Sequence, residues 1–294
     1  MESIAYWKIL RVLTTDTCNF NCVFCHNEGQ HKSHGRLLYY KDFVKIVLAL
    51  KDRPIKEIQF SGGEPFLNPE TIKMIEWANE NTDYEIGCAT NLSLLDLTIL
   101  ERLSRTKVSL NIQYPSCNPQ DYNKITNSIE GEYIHNKILL IKNLGIEFKL
   151  NFVWLTDNIL PLLNILEYCI DNNFGLKILP LISVGTLKQN HCKKIALEHF
   201  IQKLGQPTVN ASGSLRWEIS NYKNHFVIKY VDTPCLNKEF NKCKKYAEVR
   251  LLPNLELQSC LLKSNNISIN YDELNSSDLI LKKIDLTWKN FIHC

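Results

Sequence analysis

Short runs rich in β-branched and aromatic residues alternate along much of the chain with stretches whose apolar positions recur at helical spacing. The pattern predicts strands over residues 8–15, 55–60, 84–89, 107–113, 147–154 and 176–183. Between them it predicts helices over residues 41–50, 71–79, 94–103, 134–144 and 159–172. Such alternation argues for an α/β fold of parallel βα units, whose right-handed crossovers curl the sheet around its helices. Ligand sites in such sheets form beyond the C-terminal ends of the strands. After residue 190 or so the alternation fades. There a strand is expected over 225–231, a hairpin over 248–260 turning at Pro253-Asn254, and a last helix over 278–291. A boundary near residues 186–194 would divide the chain into units of residues 1–190 and 191–294.

Composition narrows the class. With 45% hydrophobic and 22% charged residues in 294, the chain reads as an ordinary globular protein. Its net charge of +3 is too small to point to nucleic acid as a partner. Lys8 and Arg11 interrupt the first apolar run, which makes a poor signal peptide. No apolar stretch approaches the roughly 18–20 residues that span a bilayer. A cytoplasmic location with no membrane partner is therefore expected.

The eleven cysteines are the outstanding feature. Reducing cytosol disfavours structural disulfides, and seven of the thiols fall into two groups: 18, 22 and 25, then 235, 243, 260 and 294. In the first group, three thiolates spaced C-x-x-x-C-x-x-C can hold three irons of a [4Fe–4S] cube and leave the fourth iron open to a small molecule. A structural zinc site with His26 as fourth ligand is the plainer alternative. The strand at 55–60 runs into Ser61-Gly62-Gly63-Glu64-Pro65. Two glycines at a strand end let backbone approach a ligand closely, and Glu64 offers an acceptor for an ammonium group.

A three-cysteine loop after the first strand and a GGEP turn after the second resemble the radical S-adenosylmethionine enzymes. The resemblance implies a partial (βα)6 TIM-like barrel carrying a [4Fe–4S] cluster on Cys18, Cys22 and Cys25. It implies that S-adenosylmethionine chelates the open iron through its amine and carboxylate. Gly62, Gly63 and Glu64 would hold the amine, with Phe24 and Ser61 beside them. An electron from a donor such as flavodoxin or ferredoxin would then yield a 5′-deoxyadenosyl radical that abstracts hydrogen from substrate. Within the superfamily, Thr15–Phe20, Cys25–Gly29, Thr90-Asn91, Val108–Leu110, Lys149–Asn151 and Val184-Gly185 resemble the GTP 3′,8-cyclase-like branch. On that likeness Thr90, Asn91, Ser109 and Asn151 would line the cofactor or substrate site. Each is equally readable as a polar strand-end residue that satisfies backbone.

That branch also has a similar C-terminal hairpin holding an auxiliary [4Fe–4S] cluster. The likeness implies Cys235, Cys243 and Cys260 as its ligands here, with Cys294 completing the set; a zinc ribbon or buried thiols are the alternatives. Two departures bear on substrate. The chain ends Phe-Ile-His-Cys where those cyclases carry a Gly-Gly tail, and Thr17 stands where an arginine is usual. Lys149 and Arg250 remain as basic substrate positions, too few for a triphosphate. Cys117, after the fourth strand, is a candidate hydrogen-donating thiol, whereas Cys88 and Cys169 read as core and Cys192 as a spare ligand. The lysine-rich stretch 238–245 reads as offsetting cluster charge or as solvated surface.

Three functions follow. The first is a radical enzyme that rearranges, epimerises, oxidises or cyclises a small, sugar- or nucleoside-like molecule. The second is a maturase of a ribosomal peptide, disfavoured by the short stretch before Cys18. The third is a zinc-binding interaction protein.

Overall fold

Every second residue along the central strands is buried against helices, and the residues between them face the other side. The computed structural model in which this is seen describes residues 7–26, 34–156, 158–181, 203, 205–209, 215–220, 225–230, 248–261 and 265–292. The strands are β1 Ile9–Leu13, β2 Glu57–Ser61, β3 Glu85–Thr90, β4 Ser109–Gln113, β5 Phe148–Trp154 and β6 Gly175–Pro180. They pair in that order, all parallel, through an unbroken register such as Arg11↔Gln59↔Gly87↔Ser109. Between them run α1 Tyr40–Ala49, α2 Thr71–Asn81, α3 Leu97–Leu103, α4 Pro119–Thr126, α5 Gly131–Asn143 and α6 Leu160–Asn172.

These are the parallel βα units the alternation predicts and the partial barrel the resemblance implies, a mixed α/β fold with antiparallel strands added toward the C-terminus. Leu10, Val12, Ile58, Phe60, Cys88, Leu110, Ile112, Leu150 and Ile178 lie on its outer face and are completely or almost completely buried. They meet helix residues at three- and four-residue spacing, among them Phe43, Ile46 and Val47 of α1 and Ile134, Ile138 and Ile141 of α5. Each such side chain contributes roughly 1.5–3 kcal/mol by leaving water. Cys88 and Cys169 sit in this core, as their apolar surroundings in the sequence suggest.

The expected hairpin is β10 Glu248–Leu251 with β11 Glu256–Gln258, antiparallel, and β10 lies parallel beside β1. A short β12, Ile267–Ser268, extends it. On the other edge β9, His225–Tyr230, pairs parallel with β6, and β8, Leu215–Ser220, and β7, Thr208–Val209, follow antiparallel. The last helix, α7 Ser277–Ile292, buries Ile280, Ile284, Trp288 and Phe291 and ties to the loop after α1 through Arg53–Asp285 at 2.6 Å.

Among the described residues, one α-helix and three strands go beyond the expected elements. The Asn118-Pro119 pair reads as a loop, yet Asn118 caps α4 by accepting from the Asp121 N–H at 3.0 Å, with Pro119 in the first turn. Strands β7, β8 and β12 are the others. The expected boundary at 186–194, residues 182–183 of the sixth strand, Glu28-Gly29, Val184-Gly185, Cys192, Cys235, Cys243, Cys294 and the lysine-rich stretch lie outside the described residues. Among the described residues no helix is long and apolar enough to cross a membrane.

Candidate active site

The cysteine loop leaves β1 through Thr14, Thr15 and Asp16, and each is buried. Asp16 closes the base of the loop by accepting from the His34 and Arg36 N–H groups, both at 3.0 Å. Asn68 donates to the carbonyls of Thr14 at 2.9 Å and Leu38 at 2.8 Å. The far side of the loop rests on the C-terminus of α4. There the Val23 N–H donates to Ile125 O at 2.9 Å, the Asn21 N–H to Thr126 O at 3.3 Å, and the Asn127 side chain to Asn21 O at 2.8 Å. Terminal helix carbonyls have no partner within the helix, so a loop that supplies N–H groups docks there readily.

The glycine turn supports the same loop from below. Gly63 N–H donates to Thr15 O at 3.0 Å and Glu64 N–H to Thr17 O at 2.9 Å. A Cβ at Gly63 would overlap the Thr17 carbonyl and lie 2.6 Å from the Cys18 nitrogen; one at Gly62, with φ +141°, would overlap the Thr15 carbonyl oxygen. Both glycines thus allow two backbone segments to touch, a need that sequence reading assigned to a ligand. Glu64 is buried and accepts from Thr90 Oγ1 and the Asn91 N–H, both at 2.7 Å, and from the Phe66 N–H at 3.4 Å. Burial pushes its carboxyl up to about 7 against these hydrogen bonds, which pull it down. Asn91 in turn donates to Asn19 Oδ1 at 3.0 Å and lies 3.9 Å from Cys18 Sγ. Lys137, buried, holds this β3 loop by donating to Leu92 O at 2.9 Å and Ser93 O at 3.3 Å.

Burial raises the Cys18 thiol to about 11, with the charges of Glu64 and Cys25 adding to it. Burial, then Cys25 and Cys18, push Cys22 up to about 12. Adjacent thiolates repel in a partly desolvated loop, so a cationic metal group between them is what would displace their protons. Among the described residues no three Cys, His, Asp or Glu side chains converge on a point that one metal ion could occupy. The three cysteines line the wall of one cavity of about 360 Å³. Three thiols spread around a shared space, with His26 and Glu64 also on its wall, fit a multi-iron cluster.

Phe24, Ser61, Gly62, Gly63, Glu64, Thr90, Asn91 and Asn151 line the same cavity. Two buried polar atoms facing it, Asn151 Oδ1 and His26 Nδ1, have no protein partner. Buried polar atoms are rarely left so, and a polar ligand suits them. Ser109, Lys149, Arg250 and Cys117 do not line it. Ser109 opens β4, two residues before the strand end that reaches the cavity. Lys149 pairs with Glu147 at 3.3 Å and runs against Gly175. Arg250 is buried and pairs with Glu248 at 2.5 Å. Cys117 lies by Tyr114, Tyr168 and Cys169, and burial raises its thiol. Cys260 is half-buried against the core just after β11.

Sequence reading passed over Arg11, Asn111, Gln113 and Lys177, which all line the cavity. Strand periodicity was the available signal for Asn111 and Gln113, which stand at even spacing from Ser109, while Arg11 and Lys177 are polar positions flanked by apolar ones within their strands. Arg11 pairs with Glu248 at 2.7 Å. Lys177 is half-buried, and burial followed by the charges of Lys229 and Arg11 lowers its ammonium to about 8.

A parallel partial barrel whose strand ends gather three thiols, a buried glutamate and a glycine turn around one cavity defines a cofactor-dependent enzyme site. The chain belongs to the radical SAM superfamily, whose model matches residues 12–169, more than half of it. Membership implies a [4Fe–4S] cluster and S-adenosylmethionine, a substrate and a reductant, and it removes the reading as a zinc-binding interaction protein. A protein named "Probable GTP 3′,8-cyclase" from Methanococcus maripaludis is 28% identical over 266 residues, 88% of this chain and 87% of its own length. Another so named, from Methanocaldococcus jannaschii, is 28% identical over 267 residues with the same coverage. Among solved structures, Streptococcus suis SuiB bound to S-adenosylmethionine matches with a TM-score of 0.72 at 13% identity, covering 97% of this chain and 67% of that one. SuiB has also been solved with its precursor peptide SuiA, and this chain spans 66% of that protein. anSMEcpe with bound AdoMet matches with a TM-score of 0.60 at 15% identity, over 96% of this chain and 84% of that one. At these identities the structural likeness is one of fold.

Proposed function

We propose that this enzyme abstracts a hydrogen atom from a small polar molecule, leading to rearrangement, epimerisation, oxidation or cyclisation. The observation that carries the reading is the single cavity shared by Cys18, Cys22, Cys25, the Glu64–Asn91 network and, opposite them, Asn111, Gln113, Asn151 and Lys177. Its volume, about 360 Å³, suits a small ligand. Cys18, Cys22 and Cys25 would hold the cluster, and Phe24, Ser61, Gly62, Gly63, Thr90 and Asn91 the cofactor, with Glu64 fixing the loop geometry around it and Asn151, beside Lys177, on the substrate's side. Bound together, cluster and S-adenosylmethionine supply a 5′-deoxyadenosyl radical. The barrel's own contribution is to orient the substrate and keep water from a reactive carbon centre.

GTP does not suit this cavity, although the two named relatives are GTP cyclases by name. Lys149 and Arg250, the basic positions shared with that branch, are each engaged by a glutamate. A triphosphate needs several charge-assisted hydrogen bonds of roughly 1.5–3 kcal/mol each. Anaerobically reconstituted, reduced protein is therefore expected to release 5′-deoxyadenosine from S-adenosylmethionine without stimulation by GTP. Deuterium passing from labelled GTP into deoxyadenosine would restore a cyclase assignment, and zinc in place of iron would sink the whole reading. A peptide substrate is the second reading, favoured by fold likeness to SuiB and anSMEcpe, both solved with peptides. Label transfer from candidate peptides tests it.

An auxiliary cluster on Cys235, Cys243, Cys260 and Cys294, in a C-terminal region of residues 191–294, belongs to the same proposal. Fully reconstituted protein is expected to hold about eight irons, falling to about four when Cys243→Ala and Cys260→Ala are combined. A count near four in the unmodified protein would mean that the hairpin holds no such cluster.

A further inference from the structure

The inward face of the sheet carries an arrangement of charge that the proposed reaction does not by itself require. Arg11 of β1 and Arg250 of β10 are register partners, and both pair with the one carboxylate of Glu248, at 2.7 and 2.5 Å. Glu248 thus ties up two guanidinium groups at once. Arg11 lines the cavity, so its charge reaches that space partly compensated, one carboxylate being shared by two cations. Lys149 is paired with Glu147 at 3.3 Å, and Arg216 of β8 with Glu218 at 2.9 Å.

Lys177 is different. Among the described residues that line the cavity it is the one lysine or arginine without an ion pair or a hydrogen bond. Its register neighbour on β5 is Asn151, 7% exposed, whose Oδ1 also lacks a partner. Its neighbour on β9 is a second cation, Lys229. An unpaired ammonium and an unpaired buried acceptor therefore stand side by side on the wall of one polar cavity. Leaving both unsatisfied is unfavourable, and one ligand group can satisfy both.

We infer that the substrate carries a single anionic group, a carboxylate or a phosphate, seated on Lys177 with a neighbouring donor to Asn151, and that Glu248 is the specificity residue that excludes polyphosphates. The inference rests on the reading of this cavity as the substrate site. It deepens that reading by fixing the substrate's charge: among the described residues one unpaired cation stands on the cavity wall and suits one anion, while Arg11, the guanidinium there that could hold a longer phosphate chain, is already engaged by Glu248. A donor beside the anion, such as a hydroxyl or an ammonium, completes the recognition pattern.

The test is calorimetric titration of the reconstituted protein with acetate, inorganic phosphate and tripolyphosphate, under saturating S-adenosylmethionine so that the cofactor's carboxylate does not compete. One of the two small anions is expected to bind with unit stoichiometry, and which one identifies the group as carboxylate or phosphate. Tripolyphosphate is expected to bind within about threefold of phosphate, because among the described residues Lys177 is the one cation on the cavity wall without an ion pair. Lys177→Met should weaken the bound anion by about tenfold or more and Lys177→Arg should restore it, which separates a lost charge from a misfolded barrel. Glu248→Gln should tighten tripolyphosphate by about tenfold or more while leaving the small anion nearly unchanged. Unmodified protein that binds tripolyphosphate far more tightly than phosphate, or that binds neither small anion, overturns the inference, as does a Lys177→Met variant of unchanged affinity. Release of 5′-deoxyadenosine, followed in the same preparations, reports on the enzyme reading separately.

Discussion

Cys22→Ala is expected to abolish release of 5′-deoxyadenosine and to lower the iron content by about four, leaving the irons of the C-terminal group in place. Cys22 is the middle cysteine of the loop, and its carbonyl accepts from the Cys25 N–H at 3.1 Å. The residues on either side of it, Asn21 and Val23, are bonded to the end of α4. The loop therefore cannot slide another side chain into the vacated position without losing its seat on the helix. Among the described residues next to the loop, His26 has a buried ligating atom without a hydrogen-bond partner, Nδ1, so it is the residue to watch. Iron analysis and chromatographic assay of deoxyadenosine on the same sample check the result. A variant that keeps both its iron and its cleavage would show that Cys22 is no ligand.

Gly63→Ala is expected to have nearly as large an effect although it removes no ligand. The added carbon collides with backbone at Thr17 and Cys18, which has no far end to swing aside. Either the glycine turn or the cysteine loop must move, and both hydrogen bonds joining them, at 3.0 and 2.9 Å, are lost. Glu64 is then drawn off Thr90 and Asn91. Overpacking of this kind costs roughly 1–3 kcal/mol, and the displaced loop should take up iron at less than about a tenth of the normal yield. Gly145→Ala provides the contrast. Gly145 also has a positive φ, +69°, but open space where a Cβ would go. It should lose about 1 kcal/mol of stability and keep full iron content. Thermal melts and iron counts on the two variants separate the effects; equal iron uptake would refute the close-contact account of Gly63.

Some of the missed residues were legible in principle. Asn111 and Gln113 share a strand face with Ser109, and two further steps along the strand take a side chain from the base of the sheet to its functional end. Reading the fourth strand for its C-terminal end would have favoured these two over Ser109. Lys177 was available by the same argument from Leu176–Pro180. The capping of α4 was also written in Asn118-Pro119, and was taken for a loop because Tyr122 and Thr126 alone bury its inner face.

By itself the sequence determined the parts that depend on local order. Apolar periodicity placed the six barrel strands and most of their helices, because burying one face of each is the largest favourable term in folding. The spacing of Cys18, Cys22 and Cys25, with the glycine turn one βα unit later, identified the chemistry, because a three-thiolate loop at a strand end has few other uses. Tertiary structure alone decided which charges are available to a ligand. Arg250 and Lys149 each meet a glutamate two residues back on the same strand face, a pairing that strand periodicity allows, whereas Arg11 looks free in the sequence. Only the parallel pairing of β10 with β1 brings Glu248 between two arginines, across a sequence separation of 237 residues for the Arg11 pair. The same holds for the support of the cysteine loop by α4, a contact made by backbone carbonyls that no side chain in the sequence announces. Ion pairs and backbone contacts depend on distance in space, which the order of residues along the chain does not encode until the sheet has formed.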